Sequence, residues 1–168
     1  LKKFISKTAN NIFIPLSVGG GISSIDEISS ILESGADKVS INSALIDDPK
    51  KIKKFSNYFG SSTIISNVEI LNYEGKQFLT KSNGRDIVSI NPYDWIKKVQ
   101  DLGAGEIFLT SVNTEGLKMG FDLNVIEKVS KICKIPLVVH GGAGNYQHVF
   151  KLLKSIDATC TSELPPKS

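Results

Sequence analysis

The sequence predicts an α/β fold with parallel strands, a (βα)8 barrel in preference to an open doubly wound sheet, and three observations carry the prediction. Along the 168-residue chain, short β-branched or apolar runs alternate with stretches whose apolar residues recur every three or four positions. Repeated strand–helix units demand parallel strands, because each helix must return the chain to the same end of the sheet. An internal repeat then separates the two architectures. Val18-x-Gly20-Gly21 recurs as Val139-x-Gly141-Gly142, and Ile31-Leu32-Glu33-Ser34 recurs at the same offset as Leu152-Leu153-Lys154-Ser155. A shorter echo pairs Gly35-Ala36 and Ser43 with Gly103-Ala104 and Ser111. The longer offset spans about four βα units, and two such halves make an eight-stranded barrel.

Residues 14–18 form an apolar run ending in Gly19-Gly20-Gly21, hence a first strand. Ile25, Ile28, Ile31 and Leu32 mark one face of a helix that Gly35 stops. Residues 38–42 are the next strand. Asp48 as N-cap and Pro49 at the first helical position open a helix whose buried stripe is Ile52, Phe55 and Phe59. Residues 63–71 are β-branched and apolar, a third strand. Gly75 and Asn83-Gly84 punctuate the next stretch, so residues 76–81 read as one arm of a surface hairpin. Asn91-Pro92 starts a helix with Trp95, Ile96, Val99 and Leu102 inward and Gly103 at its end. Residues 106–110 are a strand, 123–132 a helix capped by Asp122, and 135–139 a strand ending at Gly141-Gly142. Asn145 caps a helix carrying Val149, Leu152 and Leu153, and residues 157–161 begin one more strand.

Composition narrows the function classes. Twenty Lys+Arg against 17 Asp+Glu leave a net charge of +3, too weak a balance to argue for nucleic acid or a membrane surface. The longest apolar runs, such as residues 135–139, are too short to span a bilayer. The opening Leu1-Lys2-Lys3-Phe4 lacks an initiator Met and does not read as a signal peptide. Cys133 and Cys160 supply neither a disulfide framework nor a metal pair, and read as two reduced, buried thiols of a cytoplasmic protein. No cofactor and no metal are expected.

In either architecture the chemistry gathers at the carboxyl ends of the strands. Those ends carry Gly20-Gly21, Asn42-Ser43, Glu69, Thr110-Ser111 and Gly141-Gly142. Each Gly pair lies between a strand and a helix start, where backbone N–H groups and the positive helix end suit a phosphate. Two such corners, related by the repeat, suit a ligand with a phosphate at each end; the plainer reading is tight βα turns. Glu69 is the sole acid in an otherwise apolar strand, placed for general acid/base work or, equally, a solvated strand end. Asn113-Thr114-Glu115-Gly116 is a polar loop suited to phosphate or hydroxyl contacts. His140, alone at a strand end, reads as a structural residue before a catalytic one, and His148 as a solvated helix residue. Lys50, Lys51, Lys53 and Lys54 read as a solvated helix face.

Val18-Gly-Gly-Gly-Ile22, Gly35-Ala-Asp-Lys-Val-Ser-Ile-Asn42, Phe59-Gly-Ser61, Gly103-Ala-Gly-Glu-Ile-Phe-Leu-Thr-Ser111, Gly120-Phe-Asp122 and His140-Gly-Gly-Ala-Gly144 together resemble the cyclase subunit of imidazole glycerol phosphate synthase, HisF. The resemblance runs in order from about Leu1 to Asp157. It implies a TIM-type (βα)8 barrel that takes ammonia from a glutaminase (HisH-like) subunit. It further implies the joining of that ammonia to a bis-phosphate ribotide, giving imidazole glycerol phosphate in histidine biosynthesis. Carried over, Gly20, Gly21, Asn42 and Ser43 belong to one phosphate side. Thr110, Glu115, Gly116, Gly141 and Gly142 belong to the substrate and the other phosphate, with Ser162 echoing a phosphate-binding end of strand eight. Asp37 and Lys38 lie toward the barrel base, where ammonia enters. Glu69 stands where the family has a catalytic aspartate, Glu115 where it has an Asp, and His140 where it has a Ser.

Against a barrel of about 250 residues, the chain matches about five to six βα units. Its first residues correspond to the family's second helix, so the first two strands and the strand-one aspartate are expected to be missing. Residues 1–162 are then an incomplete (βα)8 barrel domain and 163–168 a non-family tail. Open sheet edges predict homo-oligomers. Three functions are compatible with these residues: a cyclase-lineage protein reduced to phosphate-ligand binding, a HisF-like paralogue forming amidines on bacterial surface sugars, or a self-associating fragment without activity.

Overall fold

The structure, a computed structural model, describes residues 1–156. In chain order the elements are α1 (Lys2–Ala9), β1 (Ser17–Gly19), α2 (Ile25–Glu33), β2 (Lys38–Ile41), α3 (Ser43–Asp47), α4 (Lys50–Phe59), β3 (Ile64–Tyr73) and β4 (Lys76–Lys81). Next come β5 (Asp86–Val88), α5 (Pro92–Asp101), β6 (Glu106–Ser111), α6 (Leu123–Ser130), β7 (Leu137–His140) and α7 (Tyr146–Ser155). The expected strand at 157–161, Cys160, Ser162 and the tail at 163–168 lie outside the described residues.

Five strands run parallel in the order β1-β2-β3-β6-β7, and the β4–β5 hairpin attaches antiparallel to the far half of β3. This is the incomplete (βα)8-type barrel. β3 is the longest strand because two neighbours share one of its edges. β2 pairs with residues Ile64, Ile65 and Ser66, and β4 takes over from Glu69 to Tyr73.

Alternation gives the sheet two faces. Val39, Ile41, Ile64, Val68, Ile70, Ile107 and Leu109 are buried against the helices, which answer with Ile28, Ile31, Ile52, Phe55, Trp95, Ile96, Val99, Val125, Ile126 and Val129. The other face, the barrel interior, carries Lys38, Ser40, Ile65, Asn67, Glu69, Glu106, Phe108, Thr110, Val138 and His140. The parallel register sets Glu69, Thr110 and His140 in one row across β3, β6 and β7.

The caps expected from sequence are present. Asn91 accepts from the amides of Tyr93 and Asp94, Asp122 from Val125, and Asn145 from His148. Asp48 accepts from the Lys50 amide at 3.1 Å, although Pro49 itself occupies the cap position of α4.

Several expectations are corrected. The first strand is Ser17–Gly19, not 14–18: Pro15 offers no N–H to a ladder, and Ile14 is exposed. The 76–81 arm exists, but it is no surface hairpin: Leu79 and Thr80 are fully buried, and β5 extends the sheet. The short helix α3 is absent from the elements expected from sequence. Phe59 is only half-buried, as is Cys133, whose thiol donates to the Ile135 carbonyl. Among the described residues no helix is long and apolar enough to cross a membrane.

Candidate functional site

The mouth of the sheet holds a cavity of about 730 Å³. Its walls include Gly20 and Gly21 after β1, Asn42 and Ser43 after β2, Glu69 of β3, and Ser82, Asn83 and Arg85 of the β4–β5 loop. Five of the residues singled out in sequence thus come together, because four follow the carboxyl ends of β1 and β2 and Glu69 lies in β3 just past the stretch paired with β2.

Glu69 is 6% exposed. Its carboxylate is satisfied by the protein: Oε2 accepts from the Gly84 amide at 2.9 Å and Oε1 from the Asn67 side-chain amide at 3.3 Å. A carboxylate has about four acceptor positions, so two such bonds leave capacity for a proton or a ligand donor. The hairpin is tied over the cavity by further bonds. Ser82 donates its amide to Ser43 Oγ at 3.3 Å, Asn42 Nδ2 reaches the Thr80 carbonyl, and Lys81 pairs with Asp47. Asn42 Oδ1 and Asn67 Oδ1 are buried and accept no hydrogen bond among the described residues.

The two repeat-related glycine corners differ. Gly20 and Gly21 have φ of +120° and +67°, and a Cβ on either would meet no heavy atom within 4 Å, so their glycines answer to backbone conformation beside open space. At Gly141 and Gly142 the chain packs against itself. A Cβ on Gly142 would stand 2.0 Å from the Gly120 carbonyl, and the Gly120 amide donates to Gly142 O at 2.7 Å. Thr114 Oγ1 reaches the Gly141 carbonyl at 3.3 Å, pinning the turn that carries exposed Glu115 and Gly116 onto this corner. Thr110 is buried beside it in β6.

The helix starts beyond both corners are already capped, and the repeat reaches the caps. Ser24 and Asn145 are N-caps, with Glu27 and His148 three residues on. The Ser23 amide donates to Glu27 Oε2 at 2.8 Å, and the Gly144 amide to His148 Nδ1 at 3.0 Å. His148 is therefore a half-buried partner of the corner, not a solvated helix residue. The Ser23 amide, then the Ser23 and Ser24 hydroxyls, hold the Glu27 carboxyl below the usual carboxylate range. An anion at the first corner must use groups that precede this cap.

His140 is exposed and stacks on Phe108, ring centroids 5.3 Å apart. Asp37 and Lys38 lie at the opposite, N-terminal end of the sheet. Asp37 Oδ2 accepts from the Leu16 amide at 2.7 Å, and Lys38 pairs with Glu106 across the interior. Among the described residues no cluster of His, Cys, Asp and Glu is arranged to hold a metal ion.

Sequence reasoning missed Lys51, Asn67 and Arg85 among the cavity residues, and Gly84, whose amide holds Glu69. Lys50, Lys53 and Lys54 are exposed as expected, but Lys51 turns to the cavity and donates to the Ser23 carbonyl at 3.0 Å. The usable signal was topological. A loop leaving the carboxyl end of β3 through a hairpin returns near the mouth, and Asn83-Gly84-Arg85 is its turn.

A family profile described as histidine biosynthesis protein matches residues 1–161. The chain is 37% identical over 160 residues to the imidazole glycerol phosphate synthase subunit HisF of an Exiguobacterium species, covering 95% of this chain and 63% of that protein. It is 37% identical over 157 residues to the HisF subunit of Staphylococcus epidermidis and 39% over 158 to that of Staphylococcus aureus, covering 92% of this chain and 62% of each protein. The chain thus spans less than two thirds of the length of these relatives. With that match over nearly all of its residues, the chain belongs to the histidine biosynthesis protein family.

Proposed function

We propose that this chain carries the phosphate-binding, Glu69-bearing part of a HisF-type cyclase of histidine biosynthesis. The reaction is the ammonia-dependent formation of imidazole glycerol phosphate from a bis-phosphate ribotide, and this chain's own share is binding that phosphorylated ligand. The observation that carries the reading is the single cavity in which Gly20, Gly21, Asn42, Ser43 and Glu69 meet. One phosphate rests at the open Gly20–Gly21 corner. The other end is served by Thr110, Glu115, Gly116, Gly141, Gly142 and Ser162. In the whole cyclase, Glu69, held by two donors with acceptor positions to spare, would take and return a proton as general acid/base. A glutaminase subunit docks at the base, where Asp37 and Lys38 lie, and the protein works in the cytoplasm. The HisF identities support this reading over a surface-sugar paralogue or an inactive fragment.

Isothermal titration with the bis-phosphate ribotide tests it. Saturable binding is expected, weakened by substitution at Gly21 or Gly142 and intact in Glu69→Gln. Heats of dilution alone would overturn the reading.

A further inference from the structure

We infer that Lys51 and Arg85 are the charge-reading residues of this cavity, holding a dianionic phosphate ester from two elements of its wall, α4 and the β4–β5 loop. The inference rests on the proposed phosphate binding and adds its specificity determinants.

The charges on the cavity wall can be followed one by one. Two acids line it, Asp47 and Glu69, and both are engaged by the protein: Asp47 with Lys81, Glu69 with the Gly84 amide and Asn67. Two cations line it, Lys51 from α4 and Arg85 from the β4–β5 loop, and neither forms an ion pair among the described residues. Each is positioned by a carbonyl instead. Lys51 Nζ donates to Ser23 O at 3.0 Å, and Arg85 Nε donates to Ser82 O at 2.7 Å. Fixing Arg85 through Nε leaves its terminal fork, the part that matches phosphate oxygens two at a time. With Asp47 neutralised by Lys81, the wall sets Lys51 and Arg85 against the Glu69 carboxylate, which neutral amides hold without cancelling its charge, and so keeps a net positive charge. A phosphate monoester carries about two negative charges near neutral pH.

The cap on α2 makes these cations necessary. Glu27 already occupies the Ser23 and Ser24 amides, so the helix end contributes a capped terminus with a carboxylate on it. An arriving phosphate meets that carboxylate's repulsion unless side-chain cations offset it. The second corner offers no comparable pair: its glycines are packed against the 114–120 loop. The ligand's more strongly held phosphate is thus the one at Gly20–Gly21.

Calorimetric titration of the 168-residue chain with ribulose 1,5-bisphosphate, and separately with inorganic phosphate, tests the assignment. Arg85→Ala and Lys51→Ala should each weaken both probes about tenfold, as loss of a charge-assisted hydrogen bond does. Arg85→Lys should recover part of the affinity for each. Lys97→Ala, on the outer face of α5, serves as the charge control and should leave both unchanged. Circular dichroism checks the fold of each variant; Arg85 sits in an exposed loop, so its variants decide the matter if Lys51→Ala unfolds. Native-like affinity in the Arg85 variants, with binding that still depends on Gly21, overturns the inference and leaves the phosphate reading standing. No binding of either probe by the native chain overturns both.

Discussion

Glu69 lines this mouth and Glu27 caps the helix beside it, and the protein treats the two carboxylates oppositely. Glu69 is buried and bonded to a loop amide and a side-chain amide, which ties β3 to the hairpin above it. Glu27 is exposed and closes the first turn of α2 in a capping box with Ser24. Its hydrogen bonds favour the ionised form, so its folded pKa lies below its unfolded one. As pH falls, the unfolded chain takes up the proton first. The contribution of Glu27 is therefore fully present above the unfolded glutamate pKa and is lost as pH falls through the depressed folded value. Glu27→Gln keeps the reach of the cap and removes the charge. Urea unfolding should find the native chain more stable than the variant near neutral pH, with the gap closing in acid; a gap that does not change with pH contradicts this account.

At the scale of elements, the hairpin shows what a sequence hides. Leu79 is fully buried, although the arm that carries it reads as a solvent-facing ribbon between Gly75 and Asn83-Gly84. It is buried because β4 takes over the β3 edge where β2 ends, a fact of register between strands far apart in sequence. Leu79→Ala should cost about 2–5 kcal/mol in denaturant unfolding, the loss typical of a large-to-small change in a packed core. A loss under about 0.5 kcal/mol would return β4 to the surface. Helices α2, α4, α5, α6 and α7 and the longer parallel strands were legible because each shows its period, as in Ile28, Ile31 and the Val39, Ile41 pair. The five-residue α3 and three-residue β5 were not, since neither completes two periods of its pattern. The site divides the same way. Gly20, Gly21, Asn42 and Ser43 follow strand ends and could be placed by topology alone, and Glu69 stood out as the acid in an apolar strand. Lys51 and Arg85 depend on where a helix face and a loop turn come to rest, which only the packed fold decides.

For the whole molecule, three strands of the described sheet, β1, β5 and β7, are hydrogen-bonded on one side only, and β1 and β7 are the parallel ones among them. The interior face between them carries apolar surface in contact with water: Val138 is 40% exposed, and Phe108 beside it is half-buried. At the base, Phe13 and Ile14 add exposed apolar groups around the entry to β1. Parallel strands are normally covered on both faces and both edges, because an unpaired row of N–H and C=O groups is a template for a further strand. The 168-residue chain by itself should therefore self-associate, and sedimentation equilibrium should give a mass that rises with concentration. Val138→Lys places a charge on the interior face at the β7 edge, the device by which edges are kept apart. It should shift the equilibrium toward monomer without lowering the unfolding midpoint, because the side chain it replaces is already exposed. A native chain that stays monomeric at high concentration shows that its open edges are blunted within the chain, and the prediction fails; dissociation by salt with no effect of Val138→Lys would move the contact from the sheet edge to the charged helical exterior.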